Sequence, residues 1–305
     1  MKPLVIIGVF LSFLFWGCRS NSSDTGKIDM NQLLDENGAG DNLSISEESL
    51  YAIIESFPSP LEIASLIKES GVVFNEGLLS STGNADKYTT DQERALAMGI
   101  YTGNLGYINV YEKSYLALKY LGTIKGLADE LNVGQFFDFE TIGRLSSNSD
   151  KIDSLIYLST LNFEKMDRYL RSQKRSNLSV LLVTGTWIES LFLATQVVSA
   201  KPNETLVERI AEQKMILDQV MVILSVYQNE ELFGALITNL NELKKEFDQV
   251  TITYNYAEPT TKEVNGRLVI VDNSTTEVNI TDAQVKSITA AIGQIREKIV
   301  NNALN

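Results

Sequence analysis

Glu189 is the residue in this chain best placed to do chemistry, because it is the only charge in an apolar stretch from Leu178 to Val198. An ionised carboxylate in such surroundings is costly unless paired, and burial raises its pKa toward the range of a general acid or base. Hydrolysis by this carboxylate calls for a second acid within about 5–10 Å, and none occurs at a readable spacing. The other reading is a structural pair, with Gln213, Lys165 and Arg168 on neighbouring helices as candidate partners. Trp187, two residues away on a different helix face, either anchors the core or floors a pocket. Tyr107, Tyr111 and Tyr115 recur at i, i+4 and i+8, with Tyr101 and Tyr120 nearby. Such a stripe either lines a carbohydrate or lipid cleft or packs its rings inward with the hydroxyls at the rim.

Composition removes most other chemistries. The chain has no histidine, which excludes Ser–His–Asp and Cys–His catalysis, His-based zinc sites and the usual switch at physiological pH. Ser65-Leu66-Ile67-Lys68 matches a Ser-x-x-Lys pair, but the companion Lys-Thr-Gly is missing. Phosphate loops, Gly-x-Ser-x-Gly elbows and metal-spaced clusters are absent from the sequence. These observations lead to the expectation of a non-enzymatic protein with no metal and no cofactor.

Cys18 is the single cysteine. It follows Lys2, an apolar run from Leu4 to Trp16, and Gly17, the layout of a secretory leader. Thirteen apolar-run residues are too few to span a membrane, which takes about 20. Phe15-Trp16-Gly17-Cys18 resembles the lipobox of bacterial lipoproteins, in which the thiol is acylated and cleavage makes it the new N-terminus. Residues 1–17 are then the signal peptide, and the protein is held to the envelope membrane by its N-terminal lipid. Without Lys2 the 26 basic residues become 25 against 39 acidic ones, a net charge of −14. That surface repels nucleic acid and anionic head groups.

Residues 18–44 read as a tether rich in Ser, Asn, Asp and Gly. Asp35, Asn37, Gly40 and Asp41 faintly match a calcium loop, but Ser46 stands where its closing acid belongs. From residue 45 to 305 the hydrophobic period is helical. Ser46 opens a first helix stopped by Pro58 and Pro60, Leu61–Ser70 forms a second ended by Gly71, and Thr89 or Thr90 caps a long third. Ala95, Gly99, Gly103 and Gly106 make one face of that helix nearly flat, suited either to close helix packing or to a ligand groove. The Leu178–Val198 stretch is apolar almost all round and predicts a central helix. Gln213 falls on the apolar face of the next one. Val250–Tyr254 and Leu268–Val271 predict a small hairpin over about 250–272. Thr281 and Gln284 make a capping box for a last helix over 282–302, whose Ile seam predicts docking onto the bundle. The fold expected is an all-α multi-helix bundle with a central apolar helix and a small C-terminal β-hairpin.

Ala95–Tyr101, Leu127–Leu131, Gly185–Ser190 and Arg209–Lys214 resemble segments of an uncharacterised group of helical lipoproteins from Bacteroidetes. The likeness covers roughly residues 90–250. It implies a helical domain at the cell envelope and carries no activity. In that group acids behind the lipidated Cys signal export to the outer face. Arg19-Ser20-Asn21-Ser22-Ser23 lacks them, which implies a periplasm-facing protein on the outer membrane.

The function expected is a lipid-anchored module that binds or scaffolds an envelope protein. One alternative is a small-ligand or lipid carrier whose pocket uses Glu189, Trp187, Gln213, Tyr101, Tyr107 and Tyr111. Another is a carboxylate-dependent hydrolase.

Overall fold

Two glycines on different helices meet backbone to backbone, and the fold is assembled around that crossing. The computed structural model describes residues 45–57, 60–146, 152–264, 267–271 and 273–304. The expected signal peptide, Cys18, the expected tether and the Asp35–Asp41 part of the calcium-loop match lie outside the described residues. Among the described residues the helices are α1 (Glu47–Glu55), α2 (Pro60–Glu69), α3 (Asp91–Val110), α4 (Ser114–Glu130) and α5 (Phe139–Ser146). They continue with α6 (Ile152–Ser172), α7 (Ser176–Ala200), α8 (Glu204–Ser225), α9 (Glu231–Asp248) and α10 (Asp282–Val300). The all-helical architecture and the small C-terminal β element agree with the sequence-based expectation.

Local chemistry sets the helix ends. Thr90 caps α3 in a reciprocal capping box with Glu93, and Thr281 does the same for α10 with Gln284, satisfying N–H groups that would otherwise lack partners. Gly71, at φ 71°, takes the left-handed conformation just beyond α2, where a side chain would be strained.

The flat face of α3 is a packing surface. A Cβ at Gly99 would lie 2.2 Å from the carbonyl oxygen of Leu182, and one at Gly185 would lie 2.2 Å from that of Leu96. A Cβ at Gly103 would come within 2.8 Å of the Cβ of Glu189. The two helices therefore approach as closely as backbones can, with Thr186 Oγ1 donating to the Gly99 carbonyl at 3.2 Å. Helix α7 is long and apolar enough to cross a membrane, yet 89% of its apolar window is buried inside this chain. It is the central helix, packed against α2, α3, α6, α8 and α10. The Ile seam of α10 (Val285, Ile288, Ile292, Ile295 and Ile299) is buried against the bundle.

The β element differs in pairing from the expected hairpin. β1 (Thr251–Asn255) pairs antiparallel with β4 (Thr275–Asn279), and β2 (Thr260–Val264) pairs with β3 (Arg267–Val271). The run at Leu268–Val271 thus pairs with a strand too polar to stand out by pattern, and the ribbon extends to residue 279. Four residues, 256–259, separate β1 from β2, and three, 272–274, separate β3 from β4, so the two ladders are offset by one residue. At its root, Lys214 Nζ donates to the Val250 carbonyl at 2.7 Å and Gln284 Nε2 to that of Gln249 at 2.8 Å.

The Tyr stripe is also interrupted. Helix α3 stops at Val110, Glu112 takes φ 58°, and Tyr115 belongs to α4, where it is 80% exposed. Composition alone did not announce this break, because no Gly or Pro marks it.

Gly99→Ala or Gly185→Ala should lower the unfolding free energy by about 3 kcal/mol. Gly122→Ala and Gly126→Ala should raise it by about 0.5–1 kcal/mol, because a Cβ at either site of α4 meets nothing within 4 Å. Chemical denaturation of the four variants checks both signs.

Candidate functional site: the Glu189–Arg296 network

Glu189 is wholly buried, and its carboxylate is held on both oxygens. Arg296 of α10 donates from Nε to Oε2 at 2.9 Å and from Nη2 to Oε1 at 3.0 Å. This fork-to-fork geometry is the strongest arrangement available to the two groups. Asn104 Nδ2 of α3 adds a bond to Oε1 at 2.8 Å and a second to the Ile100 carbonyl at 2.8 Å. The guanidinium also stacks on Phe192, one turn along α7, at 4.5 Å from the ring centre. Burial pushes the Glu189 carboxyl above the ordinary carboxylate range, and Arg296 and Asn104 pull against that shift.

The partners proposed from sequence are therefore replaced. Gln213 is taken by Trp187, whose Nε1 donates to Gln213 Oε1 at 3.0 Å, while Gln213 Nε2 donates to the Arg209 carbonyl at 3.1 Å. Arg168 faces Glu164 on its own helix at 3.9 Å, and Lys165 is exposed. Arg296 lies 107 residues from Glu189. Its signal in the sequence was slight: the one arginine of the last helix, beside the Ile seam, with Lys286 and Lys298 on the same helix.

The same network reaches the extended segment that joins α2 to α3. Arg296 Nη2 donates to Ser80 Oγ at 2.6 Å and to the Leu78 carbonyl at 3.0 Å, and the Ser80 N–H donates to Asn104 Oδ1 at 3.0 Å. Tyr120 donates to the Ser80 carbonyl at 2.6 Å and Tyr101 to the Ser81 carbonyl at 2.9 Å. Farther out, Tyr107 accepts from the Asn75 N–H at 3.0 Å and Tyr111 donates to the Val72 carbonyl at 2.7 Å. Phe74 packs against the rings of Tyr107 and Tyr111, at 5.2 and 5.6 Å. The tyrosines do bind a peptide backbone, and it is the chain's own. Residues 72–81 form a strap whose only regular piece is a 3-10 turn at Glu76–Leu78, so side chains satisfy the backbone groups that this turn leaves, the buried Ser80 among them.

The residues singled out from sequence thus fall into separate groups. Glu189, Tyr101 and Tyr120 meet at the strap with Asn104 and Arg296. Trp187 and Gln213 form a distinct pair between α7 and α8. Tyr107 and Tyr111 hold the strap's other end. Among the described residues no second carboxylate acts on Glu189, and no cluster of three or more metal-ligating residues occurs. Ser65-x-x-Lys68 lies on α2, with Lys68 ion-paired to Glu112 at 3.2 Å. The arrangement neutralises a buried charge and clamps a loop. The chain matches no family model, no curated protein and no solved structure.

Glu189→Gln should cost about 3–5 kcal/mol, because it leaves the Arg296 guanidinium buried without its counter-charge. Glu189→Leu combined with Arg296→Met should cost less than either single change, which a double-mutant cycle in denaturant would show.

The phenols give a pH prediction. Burial pushes Tyr88 and Tyr120 up to about 12, and Tyr101 is raised in the same way. Each is neutral when folded, so its stabilising contribution is complete below the unfolded value of about 10 and is lost as pH climbs from there toward 12. Alkaline unfolding should begin above about pH 10. Native phenolate absorbance from these groups should lag that of the unfolded chain.

Proposed function

We propose that this chain is a lipid-anchored, non-enzymatic binding module of the bacterial cell envelope, periplasm-facing on the outer membrane, and that it holds a protein partner on the β1–β4 ribbon. The observation that carries this reading is the exposure of the ribbon. Tyr256 is 70% exposed, Leu268 78% and Val269 43%, and among the described residues neither ladder has a third strand. Successive side chains alternate between faces, so Leu268 and Val269 put apolar surface on both sides of the β2–β3 ladder. Among the described side chains of the four strands, the Ile252–Val278 pair near the root is half-buried and the others are exposed. An isolated two-stranded element is marginal in water, and open edges with apolar side chains are the usual platform for strand addition or protein contact.

The anchor supports the same reading. A lipid at Cys18 would hold the domain near a membrane, where envelope proteins are its neighbours. The acidic balance argues against nucleic acid as the partner.

The ribbon can be removed without disturbing the bundle, since Thr251 and Asn279 are cross-strand neighbours that a short Gly-Ser turn can join. The excised chain should melt within a few degrees of the parent. Cross-linked, detergent-solubilised envelopes should yield a partner with the parent chain, lose it with the excised chain, and yield less with Leu268→Ser plus Tyr256→Ser. Equal recovery by the excised chain overturns the ribbon as the contact. An unmodified thiol at residue 18 in the mass spectrum of the same material overturns the anchor.

A further inference from the structure

Arg296 has a second edge. Its Nε and Nη2 serve Glu189, Ser80 and Leu78, but Nη1 makes no hydrogen bond among the described residues. Arg296 also lines a groove of about 680 Å³ between α7 and α10, open to solvent along one side. That volume is within the range of small-ligand sites, roughly 300–1,000 Å³. A guanidinium fixed by a bidentate carboxylate and stacked on Phe192 presents its remaining N–H pair without losing rotamer freedom on binding. Glu189 offsets its charge, so the free edge suits a neutral carbonyl better than a dianion.

The groove is open and polarised along α10. Its α10 wall runs from Lys286 past Ala290 and Gly293 to Glu297. Gly293 contributes no side chain, and a Cβ there would meet nothing within 4 Å. Among the described residues neither Lys286 nor Glu297 has an ion-pair partner, and both are exposed, at opposite ends of the groove. Eleven residues of helix separate them, about 16 Å at 1.5 Å per residue. That is the span of about five residues of extended chain at 3.3 Å each. The helix dipole of α10 adds to this polarity, positive toward Lys286 and negative toward Glu297.

We infer that the groove binds a short extended peptide of about five residues with free termini. The C-terminal carboxylate lies at Lys286, the N-terminal ammonium at Glu297, and a central carbonyl accepts from Arg296 Nη1. Ala290 and Gly293 on one wall and Phe192 on the other leave room for side chains. The site is independent of the ribbon and remains when the ribbon is excised, so the two proposals fail separately.

The test is calorimetric titration of the full-length purified protein with pentaalanine. Free pentaalanine should bind saturably, and the N-acetylated, C-amidated form should bind at least about tenfold more weakly. Lys286→Gln should weaken the free-carboxylate peptide about two- to fivefold and leave its amide unchanged. Glu297→Gln should do the same for the free amine against the acetylated form. Gly293→Leu should abolish binding with the melting temperature unchanged or raised, because the added side chain meets no neighbour within 4 Å and leucine favours the helix over glycine. Absence of saturable binding, equal binding of the doubly blocked peptide, or undiminished binding to Gly293→Leu each overturns the proposal.

Discussion

A carboxylate has been placed where water cannot reach it, and much of the structure serves to make that tolerable. Among the described residues, Glu189 sits on the most apolar helix, beside the closest helix crossing. Desolvating a charge costs several kcal/mol, so its oxygens need donors from outside α7. Asn104 comes from α3, held near because Gly99, Gly103 and Gly185 let the two backbones touch. Arg296 comes from α10, the last element of the chain, after the ribbon. The ion pair therefore couples the centre of the bundle to its C-terminal helix. A buried pair of this kind adds little net stability over a well-packed apolar alternative, whereas removal of one partner is expensive. Its effect is to specify which helix occupies this place.

The strap shows the same logic at the backbone level. The ten residues 72–81, on the way from α2 to α3, hold only one short 3-10 turn, Glu76–Leu78, and a buried amide left unpaired is nearly as costly as a lost hydrogen bond. Four tyrosine hydroxyls, Asn104 and Arg296 take up that requirement. The tyrosines, which by sequence could line a cleft or pack their rings inward with hydroxyls at the rim, hold the chain's own main chain through those hydroxyls. Aromatic rings with polar tips suit such a position because the ring packs while the hydroxyl reaches a carbonyl.

Glu189 as a catalytic acid would need access to substrate and a second acid, and its environment offers neither. The accessible chemistry lies one residue out from it, on the far edge of Arg296. A structural ion pair can in this way hold a donor rigidly at a surface groove, so that the same guanidinium supports the core and faces solvent. The ribbon is a separate feature, rooted by Lys214 and Gln284, with no packing demand that explains its exposed Leu268 and Tyr256.

What the sequence determined by itself is local. Thr89 or Thr90 announced the start of α3, Thr281 its capping box, Gly71 its helix end, the apolar Leu178–Val198 run its central helix, and the Ile seam of the last helix its buried face. Each follows from residues within one or two turns, where propensity, capping and periodicity act. The chain break after Tyr111 escaped because no Gly or Pro marks it, and the pairing of β2 with β3 escaped because Thr260–Val264 lacks an alternating apolar pattern. The partner of Glu189 was decided only by the tertiary structure. The pattern showed that a buried carboxylate needs a cation, but the choice of Arg296 over Arg168 or Lys165 depends on which helix the packing brings within 3 Å. Sequence spacing carries no information about that across 107 residues. Charge neutralisation is a demand that the sequence can state, and proximity is the condition that only the packed bundle can meet.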